Sequence, residues 1–280
     1  MGFSAKDVAE LRKQTGAGMM DCKKALTECD GNMEEAKDLL RKKGQATANK
    51  KSSRETNEGA VAVASNEKRA SLLKIACETD FVAINDDFQN FIQDLANQAL
   101  ETGVEKFSEQ SSSKGKISEQ LVEAISKMGE NIVVLDGAAW DLADNHIAGT
   151  YTHSKGKIGV LVELQTEGSA DKSAVTQVAR DIAMHIAASQ VEAIEESELD
   201  PAVLEKEKSI FTDQARESGK PDNIIEKMIE GRMKKFKKEI CLLDQPFVKE
   251  PDKSISQLLS EQGKALGVGL KVTRFFKAAI

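Results

Sequence analysis

With 280 residues, 30% of them charged, 40% hydrophobic and only four prolines, the chain is long enough for two or more domains and has the composition of a soluble, helix-rich globular protein. A formal net charge of −7 argues against a broad nucleic-acid footprint and suits a protein that meets other proteins. Met1-Gly2-Phe3-Ser4 lacks the basic segment and apolar run of a secretory signal and no stretch approaches the length of a membrane span, so a cytoplasmic protein with no membrane partner is expected.

Residues 4–44 read as a small helical module. Ser4 with Asp7 three residues on resembles a capping box, Val8 and Leu11 share a face, and Gly16 can end the helix in the left-handed conformation. A second helix carries Cys22, Ala25, Leu26 and Cys29, Asp30-Gly31-Asn32 turns the chain, and a third carries Ala36, Leu39 and Leu40 before Gly44. Thr15-Gly16-Ala17-Gly18-Met19-Met20 is no phosphate loop: no strand precedes it and no Gly-Lys-Ser/Thr ending follows, so the glycines make a tight turn between helices. Neighbours on a helix cannot both face one side, so one of Met19 and Met20 should be exposed, and with Arg12 and Lys23 it would suit an acidic partner. The alternative is a core methionine beside solvated charges. Gln45 to Asn57, polar and basic, reads as an exposed linker or an exposed helical extension.

The pattern then changes to strands. Ala60–Ser65 alternates with Val61 and Val63 on one face, Asn66-Glu67 can turn, and Arg69–Cys77 returns with Leu73, Ile75 and Cys77 on one face. From Asp86 a helix repeats Phe88, Phe91, Ile92, Leu95, Ala96 and Ala99 at the spacing of a buried stripe. Between strand and helix lies the loop Glu78-Thr79-Asp80-Phe81-Val82-Ala83, pinned at both ends. Phe81 and Val82 either fold back over the core, with Asp80 a turn residue, or offer a carboxylate and a ring to a partner.

A Ser-rich loop follows at Ser111–Gly115, then a helix through Leu121, Val122 and Ile125 that ends near Gly129, and a strand from Ile132 towards Trp140. A second hairpin is expected from His146–Tyr151 into Ile158–Leu164. The two halves repeat at one offset: Ile75 matches Val162, Thr79 matches Thr166, Asp80 matches Glu167, Asp94 matches Asp181 and Ala96 matches Ala183. Gly168 and Ser169 stand where the first copy has Phe81 and Val82; a pair kept only for packing would be expected in both, which favours the exposed reading.

Over 195–236 no strand pattern remains. Val203 and Ile210, and Leu204 and Phe211, are seven apart, the spacing of a coiled-coil seam; Ser218-Gly219-Lys220-Pro221 should stop that helix before another carrying Ile225, Met228, Ile229 and Phe236. Two helices joined so closely should lie antiparallel, as an insertion. Pro246-Phe247-Val248, a short helix with Ile255, Leu258 and Leu259, and alternating Val268, Leu270 and Val272 return to core-like sequence.

Catalytic constellations are thin. His146, His153 and His185 have no linked nucleophile motif, His185 beside Ile182 and Ile186 reads as a packed residue, and Cys22, Cys29, Cys77 and Cys241 are too scattered for a metal site and read as reduced, buried thiols. The chain reads as a binding protein rather than an enzyme.

Several motifs together resemble one family. They are Leu11-Arg12 with Thr15–Lys23, Glu78–Ala83, Tyr151 with His153, Ile158–Val162, Asp181–His185, Glu230–Phe236 and Gln245–Val248, in this order along nearly the whole chain. In these the sequence is similar to the bacterial translation elongation factor Ts family. The resemblance implies an α+β fold with an N-terminal three-helix ubiquitin-associated-like module (1–44), a linker (45–57), and a two-subdomain α+β core with antiparallel sheets. Core subdomain N would span 58–141 and core subdomain C 142–192 and 237–280, with an inserted antiparallel helical hairpin over 193–236. The implied activity is guanine-nucleotide exchange on the GTPase elongation factor Tu, with no cofactor of its own, acting on the Mg²⁺ and GDP held by that partner. Asp80 and Phe81 would intrude near the magnesium, framed by Thr79 and Val82. Arg12, Met19, Met20 and Lys23 would meet the same nucleotide domain, and Met128, Gly129, His153 and Met233 would make further partner contacts. A homodimer or a two-to-two complex is left open.

Two departures from the family pattern stand out. The chain closes on Arg274–Ile280 without the C-terminal helical module some members add, and Ile84 stands where a basic residue is common. The competing reading is an RNA- or ribosome-associated protein using the basic run Arg232, Lys234, Lys235, Lys237 and Lys238, which in an acidic chain reads more simply as a solvated helix face.

Overall fold

The computed structural model describes residues 2–217 and 221–280. Its first helix, α1 (Ala5–Thr15), starts at the expected capping box. The Asp7 backbone N–H donates to Ser4 Oγ at 3.3 Å while the Ser4 N–H donates to the Asp7 carboxylate at 2.6 Å. Gly16 at φ 66° closes it, and α2 (Met19–Glu28) follows. Val8, Leu11, Cys22, Ala25, Leu26 and Ala36 form the small core that α1 and α2 share with α3 (Met33–Lys51). Helix α3 does not stop at Gly44. Alanines and lysines with no proline carry it to Lys51, and Gly44 is accepted because it lies against Val122 and Ser126, so of the two readings of 45–57 the helical extension holds as far as Lys51 and a linker is confined to the last residues.

Strands β1 (Glu58–Ser65) and β2 (Arg69–Cys77) form the antiparallel hairpin, and β5 (Val133–Asp141) pairs antiparallel with β2, giving the order β1-β2-β5. Between them come a one-turn helix α4 (Asp80–Ala83), α5 (Asp86–Thr102) and a two-residue ribbon of β3 (Ser111–Ser112) and β4 (Gly115–Lys116), where a loop was expected. The helix α6 (Ile117–Met128) completes this stretch. Leu73, Ile75 and Cys77 join Phe88, Ile92, Leu95, Ala96 and Ala99 in one core, as the periodicity predicts, with Phe91 at its margin. In β1 the face towards α5 is the alanine one, Ala60, Ala62 and Ala64. Val61 is buried on the opposite face, against Gly156 and Gly159, and Val63 is half-buried, so both faces of the strand are covered.

The second sheet has the order β10-β7-β6, from β6 (His146–His153), β7 (Ile158–Glu167) and β10 (Gly269–Ala279). Like β2, β7 is the central strand and leads into a long helix, α7 (Lys172–Ala188), matching the sequence repeat. Gly149 of β6 has no room for a side chain: a Cβ there would stand 2.3 Å from the Ala179 carbonyl carbon of α7. Gly149→Ala should therefore lower stability by about 1–3 kcal/mol in urea unfolding, through overpacking against backbone; an unchanged midpoint would mean the helix can retreat at no cost.

The hairpin consists of α8 (Pro201–Arg216) and α9 (Asp222–Ile240), so its second helix runs four residues past the expected boundary; Ser218, Gly219 and Lys220 of the expected stop lie outside the described residues. Glu196 pairs with Lys237, Phe211 packs edge-on to Phe236, and Gln214 accepts from Arg232, a descending order that makes the helices antiparallel. Leu204 and Phe236 cover the buried Ala193, Leu199, Ile240 and Cys241, whereas Val203 and Ile210 stay exposed; one seam of the two is used. After α9 come β8 (Pro246–Phe247), β9 (Glu250–Ser254) and α10 (Ile255–Leu266).

The chain divides into two compact units. The first holds Met1–Asp141 with Thr152–Gly159 and Ala278–Ile280; the second holds Leu142–Tyr151 and Val160–Lys277. The helical module and the first sheet thus share one unit, with Ala48 of α3 buried in the core built on β1, β2, α5 and α6. Cys22, Cys77 and Cys241 are buried free thiols, and Cys29, also free, is half-buried. No helix among the described residues is long and apolar enough to cross a membrane.

Candidate functional site

At the end of β2 the backbone leaves the sheet and needs new hydrogen-bond partners. Glu130, two residues past the end of α6, supplies them. Its Oε2 accepts from the Glu78 N–H at 3.1 Å and the Thr79 N–H at 3.0 Å, and its Oε1 accepts from Thr79 Oγ1 at 2.6 Å. Thr79 Oγ1 in turn accepts from the Val82 N–H at 3.3 Å and so caps α4. The Glu78 carboxylate faces the other way, accepting from the Asn131 N–H at 2.7 Å and pairing with Arg54 at 3.3 Å. Asn131 Nδ2 donates to the Arg54 carbonyl at 3.1 Å, and Lys51 Nζ donates to the Gly129 carbonyl. The ends of α3 and α6 and the base of the turn are thereby closed into one ring.

Beneath the turn, the Cys77 thiol donates to the Thr79 carbonyl at 3.3 Å. Burial, with the Glu130 carboxylate adding to it, pushes this thiol up to about 12, so it stays protonated and serves as a donor. At the far end of the turn Gln89 Nε2 donates to the Ala83 carbonyl at 2.6 Å and to the Lys155 carbonyl at 3.2 Å. That second bond brings up the tip of the β6–β7 hairpin, where Ser154, Lys155 and Gly156 all have positive φ.

What this frame holds out is Phe81, 78% exposed, beside the exposed Asp80. Val82 is half-buried against the core and Ala83 is fully covered. The two sequence readings of the turn therefore divide between adjacent residues: Val82 packs and Phe81 projects. In the second repeat Thr166 lies within β7 and no helical turn follows at Gly168-Ser169.

Thr79, Asp80, Phe81 and Val82 form the turn itself. Gly129 is the left-handed cap of α6 at φ 78°, next to Glu130, and Met128 is half-buried against the core. His153 is exposed at the start of the hairpin tip that Gln89 holds. These positions converge in the first unit. In the same unit Arg12 and Lys23 are exposed, and Met19 and Met20 are both exposed, at 45% and 63%, where only one was expected to be. Met233 lies half-buried on α9 in the second unit. Sequence reasoning missed Glu130, Gln89, Asn131 and Arg54.

His185 is buried as expected. It accepts from the Val248 N–H at Nδ1, at 3.3 Å, and its Nε2 lies 2.8 Å from Gln245 Oε1, which makes Nε2 the protonated nitrogen. Burial holds it below the usual imidazole value despite the Gln245 bond, so it is a neutral packing residue. Among the described residues no group of three or more His, Cys, Asp or Glu side chains could hold a metal ion.

The family model described as Elongation factor TS matches residues 78–280, a span that begins at this turn and includes Glu130. Elongation factor Ts of Rhizobium meliloti is 45% identical over 282 aligned positions, covering 97% of this chain and 91% of its own. The Bartonella quintana protein of that name is 44% identical, covering 100% and 93%, and the Clostridium perfringens one is 44% identical, covering 98% and 92%. With such similarity extending from the helical module to the last strand, the chain belongs to the elongation factor Ts family.

Proposed function

We propose that this chain carries out the nucleotide exchange on elongation factor Tu that its family implies, and does so by inserting Asp80 and Phe81 beside the partner's bound Mg²⁺ and phosphates. The observation that carries this reading is a fully projecting aromatic side chain on a turn fixed at both ends. A GTPase holds GDP through a phosphate cradle and Mg²⁺, both dependent on loop placement. A ring and a carboxylate pressed among those loops weaken nucleotide binding, and by linkage GDP weakens the complex equally. No covalent step is needed, and the chain contributes no cofactor. The exposed Met19, Met20, Arg12 and Lys23 supply a second contact area on the same unit, where flexible methionines suit an apolar surface and the cations an acidic one.

The test is release of fluorescent GDP from purified elongation factor Tu with and without this protein. Acceleration, together with a complex that excess GDP dissociates, supports the reading. No acceleration by folded protein, with steeply salt-dependent binding to RNA instead, would move the function to nucleic acid. Within the basic run that RNA binding would use, Arg232 is spent on Gln214 and the Phe211 ring, Lys235 pairs with Glu239 and Lys237 with Glu196.

A further inference from the structure

We infer that Glu130 is a positioning residue for exchange, holding Asp80 and Phe81 in their projecting arrangement; this rests on the insertion reading above. A helix of four residues cannot hold itself together, because forming its first turn fixes several backbone angles for a single hydrogen bond. The order of α4 must therefore come from outside it. Asn131 and Arg54 hold the Glu78 side chain, and Gln89 holds the C-terminal end. At the N-terminal end two consecutive backbone N–H groups and the capping hydroxyl all converge on the single carboxylate of Glu130.

Both oxygens of Glu130 are occupied within the chain, so its effect on a partner passes through the turn. It also sets the capping geometry: a Thr79 hydroxyl that donates to Glu130 Oε1 has its lone pairs free for the Val82 N–H, which fixes the first turn of α4 and with it the direction of Phe81. Glu130 follows Gly129, whose carbonyl is bound by Lys51 at the end of α3, so the clamp itself is anchored to the helical module. Loss of the carboxylate releases the Glu78 and Thr79 N–H groups and the capping hydroxyl while the Cys77 thiol, the packing of Val82 and Ala83 and the Gln89 bond remain, so the first turn of α4 loosens and Phe81 samples directions that do not fit the partner.

The experiment is a cycle in the full-length chain, wild type, Glu130→Ala, Phe81→Ala and the double variant, each titrated into elongation factor Tu loaded with fluorescent GDP. Glu130→Ala is expected to lower the limiting release rate by about tenfold, with a smaller change in the half-saturating concentration. Added to Phe81→Ala it should lower the rate by much less than it does alone, since a misaimed ring and an absent ring are equivalent and only Asp80 is left to position. Glu130→Gln keeps an acceptor for the two N–H groups and should fall in between; if Glu130→Ala melts early enough to cloud its rate, the same cycle with Glu130→Gln decides. A limiting rate equal to wild type in Glu130→Ala, or a loss that multiplies with that of Phe81→Ala, overturns the inference while leaving exchange in place. No acceleration by the wild type overturns the exchange reading and this inference together.

Discussion

Phe81→Ala should lower the limiting rate of GDP release from elongation factor Tu by about 10- to 150-fold while leaving the melting temperature of the free protein unchanged. On the proposed insertion the ring would be buried in the complex, worth roughly 1.5–3 kcal/mol, at about 1.4 kcal/mol per tenfold. The unchanged stability follows from the ring's exposure in the free chain: at 78% exposed it makes few contacts to lose, and such surface changes stay within about 0.5 kcal/mol. Val82→Ala separates the two roles within the turn. Val82 is half-buried on the core, so its truncation should destabilise the free protein and slow exchange only to the extent that the turn loosens. Measured side by side, a Phe81 variant that melts early but exchanges normally would reverse the assignment and return Phe81 to packing.

The sequence made the elements around this turn legible because burial leaves a period. Leu73, Ile75 and Cys77 at two-residue spacing and Phe88, Ile92, Leu95 and Ala99 at helical spacing meet in one core. The repeat likewise returned as two central strands, β2 and β7, each leading to a long helix. Whether Phe81 packs or projects was not legible from pattern, because a four-residue turn is too short to show a period. The family motif and the missing pair in the second repeat were the only signals. The clamp was invisible for another reason. Glu130 lies 51 residues from Thr79, and nothing in Gly129-Glu130-Asn131 says which backbone groups its carboxylate will meet. Only closure of the sheet by β5 brings the end of α6 to the end of β2. Which face of β1 meets α5 was not legible for a third reason: alanines allow α5 to approach closely, so the small residues face the helix while Val61 meets glycines on the other side.

The second sheet carries the other large expected effect. Glu163, on the central strand β7, is 2% exposed yet charged. It accepts from Arg274 Nε at 2.7 Å and Nη2 at 2.9 Å, from Thr273 Oγ1 at 2.7 Å, and lies 3.2 Å from His146 Nδ1, so one carboxylate joins all three strands of the sheet. Burial alone would raise its pKa, but the hydrogen bonds from Arg274, Thr273 and His146 outweigh burial and hold it below the usual carboxylate value. Glu163→Gln turns an amide N–H towards donors at a buried place on the central strand, a loss of about 1–3 kcal/mol. In a chain of this size that lowers the melting temperature by on the order of 5 °C. Because the folded pKa lies below the unfolded one, the wild-type advantage is complete above the ordinary carboxylate value of about 4.3 and disappears as pH falls through the lower folded value. The gap between wild type and Glu163→Gln should therefore be constant around neutrality and close in acid. Equal melting at neutral pH, or a gap that does not begin to narrow as pH is taken below the ordinary carboxylate value, would show that the charge on this carboxylate does not bind the strands together.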